Sequence, residues 1–271
     1  MRRPLLCLTT VLAGPLLAAT AHAGAYLENV EKELEGTKAP ATSKMWFDSG
    51  RMRMERAENN DTTVVILKNQ TMYTISEKTK SYGVIDKATV EQLGATMAAA
   101  RKQMEARMAS MPPEQRKKME EMMAKLGQGS GPKPKRTLQK TARTESAAGL
   151  KCTVWEVLED GKKEEEICAA PTGSLPNGEE MIKTFRDLAA MFKSFTDSLG
   201  GGGMDNALWQ DLDTINGVPI ITREFSEGKA RSEMRLTVAR KESVPASSFE
   251  VPAGYTEKKL PIGKPGGPGA D

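Results

Sequence analysis

Two cysteines, Cys152 and Cys168, offer the most definite chemistry in the sequence, because they occupy the two arms of one predicted β-hairpin. A three-residue loop at Glu159, Asp160 and Gly161 would place the two cysteines directly opposite each other. In an exported protein this arrangement predicts a disulfide, which adds about 3 kcal/mol in the chain-entropy model. A redox or metal pair would show the closer Cys-x-x-Cys spacing. The same register groups three apolar side chains on one face, namely Trp155, Val157 and Ile167.

The first 23 residues predict export. Arg2 and Arg3 precede an apolar stretch from Leu5 to Leu17, and Ala21-His22-Ala23 fits the small-x-small pattern of a cleavage site. We therefore expect a signal peptide over residues 1–23, cleavage after Ala23 and a periplasmic mature protein. No later segment reaches the roughly 20 apolar residues of a membrane-spanning helix, so an integral membrane protein is not expected.

Histidine chemistry is missing from the predicted mature chain, because the single histidine is His22. This excludes Ser/His and Cys/His nucleophile pairs, imidazole metal sites and histidine acid–base catalysis. Removing Arg2 and Arg3 from the 39 basic residues leaves 37 against 36 acidic residues, which is not the charge of a nucleic-acid-binding protein. We expect no enzyme activity, no cofactor and no resident metal. An enzyme that works without histidine is the least favoured alternative.

Methionine is frequent, and seven of the 16 methionines lie between Met97 and Met123. On a helix that packs over a sheet, methionine is an adaptable filler of cores and cavities. Thioether sulfurs also bind copper(I), which leaves a Met-based copper site as a minor alternative. The segment Met111-Pro112-Pro113-Glu114-Gln115-Arg116 loosely resembles a motif of periplasmic chaperones such as Spy. It indicates a further alternative, in which the helices contact a protein partner.

Residues 43–86 have the alternation and turn signals of an antiparallel meander. A two-residue turn at Ser49-Gly50 gives the first hairpin two distinct faces. One face carries Met45, Phe47, Met52 and Met54, and the other carries Trp46, Arg51 and Arg53. A later turn over residues 77–80 sets Ile75 opposite Tyr82. A long hairpin is also predicted near the C-terminus, over residues 218–225 and 230–240.

Helical spacing follows the meander in two places. The first stretch carries Leu93, Met97, Ala100, Met104, Met108 and Met111, and a second helix is predicted from Pro112-Pro113 to Leu126. Another helix is expected over residues 179–199. Both insertions, residues 88–126 and 179–199, should pack on the concave side of the sheet, because their apolar faces would otherwise lie in water.

Four signatures occur in order: the signal peptide, the meander, Gly149-Leu150-Lys151-Cys152 at the start of a strand, and the ending from Val244 to Tyr255 (VPASSFEVPAGY). Together they resemble an uncharacterised periplasmic family, a domain of unknown function, in the superfamily of the lipoprotein carriers LolA and LolB. The resemblance implies an α+β fold, a LolA-like half-barrel in which helices pack on the concave face of a curved antiparallel sheet. It also implies a first strand over residues 25–35, although Leu27, Val30 and Leu34 have helical spacing.

That superfamily holds acyl chains in the cavity of its half-barrel, so we expect a non-enzymatic binding protein for an acyl chain or another hydrophobic ligand. The essential arginine of the lipoprotein carrier has no match here, and lipoprotein transport is not inferred. One LolA-like domain should span residues 24–260, followed by a disordered tail over residues 261–271. The candidate cavity lining is Met52, Met54, Met97, Met104, Met108, Phe185 and Phe192.

Overall fold

The computed structural model of the protein describes residues 23–58, 61–118, 135–198, 211 and 214–259. Within these ranges, twelve strands belong to one sheet. The strands are β1 (Ala23–Glu33), β2 (Ala41–Asp48), β3 (Arg51–Glu58), β4 (Asp61–Lys68), β5 (Thr71–Ser76), β6 (Ser81–Ile85), β7 (Arg136–Ala147), β8 (Leu150–Glu159), β9 (Lys162–Pro171), β10 (Gly217–Ser226), β11 (Lys229–Ser243) and β12 (Thr256–Glu257). The helices are α1 (Lys87–Ala109) and α2 (Gly178–Ser198), with short 3-10 turns at Thr172–Ser174 and Ala246–Phe249.

The sheet is large, open and curved, and its strands run in the order β12-β6-β5-β4-β3-β2-β1-β11-β10-β9-β8-β7. All neighbouring strands are antiparallel except β12, which pairs in parallel with β6. Strand β1 joins the two halves of the sheet, because it pairs with β2 on one side and β11 on the other. Leu27 and Val30 therefore lie in a strand, as the family resemblance implied, and Leu34 directly follows that strand.

Two predicted turns are confirmed. Ser49 and Gly50 adopt positive φ angles of 52° and 73°, and the two-residue turn pairs Phe47 with Met52. Positive φ at both turn positions matches the right-handed twist of the flanking strands. In the next part of the meander, Ile75 pairs with Tyr82 as predicted.

The predicted register of the cysteine hairpin is wrong, although its disulfide is present. The turn between β8 and β9 has two residues, Asp160 and Gly161, and a register shift lies next to Val157. Val154 therefore lies opposite Cys168, and Cys152 is displaced along its strand. The cysteines are still linked, with their Cα atoms 5.3 Å apart. Trp155, Val157 and Ile167 pack in one cluster, as the alternation predicted.

The main core lies between α2 and the sheet. It combines Phe47 and Met52 from the meander with both cysteines and with apolar residues of β10 and β11. A second cluster lies around Phe249, whose ring is fully buried against Val64, Ile66 and Ile75. The C-terminal segment thus covers part of the opposite face of the meander.

The two helices do not occupy equivalent positions. Helix α2 packs on the sheet through Met181 and Ile182, whereas α1 packs mainly against α2, with a smaller contact to β6. The prediction that both insertions lie on the concave face of a half-barrel is therefore not confirmed. Residues 113–118 are helical, and the rest of the helix predicted to end at Leu126 lies outside the described residues. The predicted tail and residues 1–22 of the predicted signal peptide also lie outside them, whereas Ala23 is the first residue of β1.

Candidate functional site

Helix α2 is fixed to the sheet at its first turn. A Cβ atom on Gly178 would lie 2.1 Å from the carbonyl oxygen of Thr172, so only glycine allows this close approach. In the same turn, the Glu180 carboxylate accepts a hydrogen bond from the backbone N–H of Gly50, with a nitrogen–oxygen distance of 2.6 Å. These contacts tie the start of α2 to the β9 connection and to the β2–β3 turn.

Large side chains occupy the interface between α2 and the sheet. Met181 is fully buried, and the Phe185 ring packs edge-on against the Phe47 ring, with centroids 5.5 Å apart. Leu188 extends the contact by a further helical turn. This close packing of aliphatic and aromatic groups is that of a core, and it distinguishes the α2 face from an open ligand cavity.

The predicted cavity-lining residues lie in different environments. Met52 is buried in the main core, and Phe185 packs against the same core. Met54, Met108 and Phe192 are half-buried. Met97 and Met104 lie on α1 and are 40% and 37% exposed. A shared acyl-binding cavity for this set stays a prediction.

The apolar face of α1 changes from buried to exposed along the helix. Val90 is 1% exposed in the first turn, and Gly94 one turn later is also buried. Met97 and Met104 lie on nearly the same side, since seven residues make about two turns of helix, but they face solvent with Ala100 between them. We call the surface of Met97, Ala100 and Met104 the methionine face.

Capping interactions define both ends of α1. The Asp86 carboxylate accepts a hydrogen bond from the Thr89 N–H at 2.8 Å, and hydrogen bonding to Thr89 lowers the pKa of Asp86. At the other end, the Arg116 guanidinium donates to the carbonyl oxygens of Met108 and Ala109, at 3.1 and 3.0 Å. The turn of helix after Pro112 is therefore folded back against the end of α1.

The distal half of α1 is basic. From Met97 to residue 118 the sequence contains six basic and two acidic residues. The side chains of Lys102, Arg107, Lys117 and Lys118 are exposed and make no ion pair with any described residue. The overall composition does not reveal this concentration of charge, because the chain as a whole has 39 basic and 36 acidic residues.

Two open clefts lie on the face of the meander opposite Phe47. Their volumes are about 710 and 370 Å³, and Arg53 and Glu55 line both. Arg53 bonds to the Glu55 carboxylate and to the carbonyl oxygen of Ser248, with the latter contact at 3.0 Å. The smaller cleft also contains Trp46, whose Nε1–H donates to Glu242 at 3.1 Å. Charged side chains line both clefts, and two of them, Arg53 and Glu55, are paired with each other, which suits an acyl chain poorly.

On the other half of the sheet, the side chains of a charged cluster pair with one another. The Arg223 guanidinium bonds to the carboxylates of Glu145, Glu166 and Glu233 at 2.6, 3.3 and 2.8 Å. Burial would raise the pKa of Glu233, but hydrogen bonds from Arg235 and Arg223 lower it to about 2. The cluster therefore stays ionised and paired, and it stabilises the packing of β7 to β11.

None of the helices in the described part of the chain combines the length and apolar character needed to cross a bilayer. No protein-family model and no curated protein sequence matches the chain.

The fold is similar to several solved structures. An uncharacterised conserved protein from Thermus thermophilus aligns over 88% of this chain and 91% of its own, with 5% identity and a TM-score of 0.44. MucB, which has also been solved as a Pseudomonas aeruginosa MucA/MucB complex, aligns with 12% identity and a TM-score of 0.36. The match covers 87% of this chain but spans only 59% of MucB. A LolA superfamily protein from Nitrosomonas europaea aligns over 85% of this chain and 91% of its own, with 7% identity and a TM-score of 0.29.

Proposed function

We propose that the protein is an exported, non-enzymatic binding protein that contacts the apolar surface of a protein partner through the methionine face of α1. The observation that carries the proposal is the exposure of Met97 and Met104, on a helix that packs mainly against α2. At about 25 cal/mol per Å² of apolar surface covered, a partner that buried the exposed 40% and 37% of these two residues would gain binding free energy.

The chemistry of methionine suits this role. Its unbranched, polarisable side chain adapts to partners of different shape, and such surfaces are typical of proteins that bind amphipathic helices. The filled interface between α2 and the sheet also favours a partner on the outside of the helices over a ligand beneath them.

Peptide binding tests the proposal. The probe is a fluorescent amphipathic peptide with leucine on one helical face and glutamine on the other, and anisotropy measures its affinity. Met97→Glu with Met104→Glu should weaken binding at least about tenfold, because it places charges on the contact surface. The matched control is Ala99→Glu with Ala106→Glu, which adds the same charges at exposed positions on the opposite side of α1. Equal loss in both variants would refute the proposal.

Methionine oxidation checks the accessibility of the surface independently. Dilute hydrogen peroxide followed by mass spectrometry should oxidise Met97 and Met104 at least about ten times faster than Met52 and Met181, because sulfoxide formation requires access to the sulfur. Slow oxidation of all four methionines would mean that another part of the chain covers the methionine face.

An acyl-chain ligand is the second candidate, and the apolar floor beneath α2 favours it. Phe47, Met52 and Leu67 form a continuous part of the core that α2 covers. If α2 lifts from this floor, palmitate should protect α2 amides from hydrogen exchange and stabilise the protein. Unchanged exchange at saturating palmitate would remove this candidate.

A further inference from the structure

We infer that the partner of the methionine face is an acidic amphipathic segment of a protein. This inference rests on the proposed function and adds the charge of the partner. It follows from the unpaired cations of the distal half of α1, which lie beside the apolar contact surface.

The cations are next to the methionine face. Arg107 follows Met104 by three residues, a spacing that makes two side chains neighbours on a helix. Beyond Pro112, Lys117 and Lys118 belong to the helical turn that Arg116 holds against the end of α1. An apolar group on Met104 would therefore lie within reach of the Arg107 guanidinium, with Lys117 and Lys118 in the helical turn held at the same end of α1.

Several other cations of the fold are paired with carboxylates. On the sheet, Arg56 pairs with Glu31, and Arg240 pairs with Glu242, at 2.7 and 2.5 Å. In the first turn of α1, Lys87 lies 3.8 Å from Glu91. By contrast, the exposed cations of the distal half have no carboxylate partner among the described residues. Exposed lysines of the sheet such as Lys162 and Lys229 also lack an ion pair with a described residue, but the unpaired cations of the distal half of α1 lie on the same helix as the methionine face or directly after it.

Charge complementarity then selects the partner. Carboxylates at the rim of an apolar contact would pair with Arg107, Lys117 and Lys118, whereas lysines there would be repelled. Each exposed pair contributes a small amount, and a few pairs together change affinity by about tenfold. Because the charges are exposed, the preference for an acidic partner should decrease as ionic strength rises.

Three peptides of the same leucine pattern test the inference. They carry glutamate, glutamine or lysine at every polar position, and anisotropy at low salt gives their affinities for the full chain. The glutamate peptide should bind at least about tenfold more tightly than the lysine peptide. The variant Arg107→Glu with Lys117→Glu should abolish this preference. The control Lys162→Glu with Lys229→Glu, which makes the same change in net charge at two exposed strand ends, should retain it.

The outcomes separate the two proposals. Equal affinity for the three peptides, lost in the Met97→Glu, Met104→Glu variant, would overturn the acidic partner and leave the proposed function standing. No binding of any peptide would overturn both. Binding to phosphatidylglycerol vesicles, without binding to the glutamate peptide, would replace the acidic protein segment with an anionic membrane surface.

Discussion

Helices α1 and α2 have similar lengths, 23 and 21 residues, but opposite relations to the rest of the fold. Helix α2 buries Met181 and Ile182 and is tied at its first turn to the β2–β3 turn. Helix α1 buries its apolar side only near Val90 and exposes the methionine face beyond it. The comparison teaches that apolar residues at helical spacing predict a helix but do not determine what covers its apolar side.

The largest expected difference between the helices is in core stability. Met181→Ala should lower the free energy of unfolding by about 2–5 kcal/mol, because it leaves a cavity in the main core. Met104→Ala should change it by about 0.5 kcal/mol or less, because the side chain is already partly in water. Urea unfolding followed by circular dichroism measures both. Equal losses would mean that α1 is as fully packed as α2.

The disulfide should stabilise the floor on which α2 packs. Replacing both Cys152 and Cys168 with alanine should cost about 3 kcal/mol, since the link closes a loop of 16 residues in the unfolded chain. Both sulfurs are in the main core, so the variant should also increase hydrogen exchange in α2 more than in the distal half of α1. Wild-type protein unfolded in reductant is the control for the loss of the covalent link. Unchanged stability in the alanine variant would contradict the prediction.

The smallest expected effect concerns the N-terminal cap of α1. Asp86→Ala should cost about 1 kcal/mol, and Asp86→Asn should cost less because asparagine is also a good cap. Hydrogen exchange should increase in the first turns of α1 and stay unchanged in α2.

The same cap sets a pH dependence for α1. The pKa of Asp86 is lowered from its ordinary value of 3.8. The contribution of the cap to stability is therefore complete above that pH and decreases as the pH falls through the lowered value. The measurement is amide hydrogen exchange in α1 as the pH is lowered. If acid increases this exchange equally in the wild type and in Asp86→Ala, the carboxylate does not have this role.

The sequence predicted those parts of the fold that short-range patterns determine. Turn residues such as Ser49-Gly50 fixed the meander, because a tight turn leaves one register for the flanking strands. The predicted register of the cysteine hairpin was wrong for two reasons. The turn has two residues where three were predicted, and the shift beside Val157 inserts a residue that no turn signal marks. Strand β7 was not predicted, since an edge strand that is mostly exposed lacks the apolar alternation of a core strand.

The candidate site was predicted less completely. Helical spacing placed Met97 and Met104 on one side of a helix, which is correct, but the direction in which that side faces depends on tertiary packing. Met52 and Phe185 reached the core because they belong to elements that pack directly on one another. The unpaired cations near Arg107 were missed because their significance depends on which carboxylates lie nearby in space.

The edges of the sheet are the places where another copy of the chain could add a strand. Strand β7 lies at one end of the sheet, and a flat edge of that length would offer a template for the strands of another copy. Its pairing with β8 is interrupted between Lys140 and Thr144, where the Thr141 hydroxyl accepts a hydrogen bond from the N–H of Arg143. At the other end, β12 covers part of β6. The interruption divides β7 into two short stretches, so edge-to-edge aggregation would have to begin on a template of only a few residues.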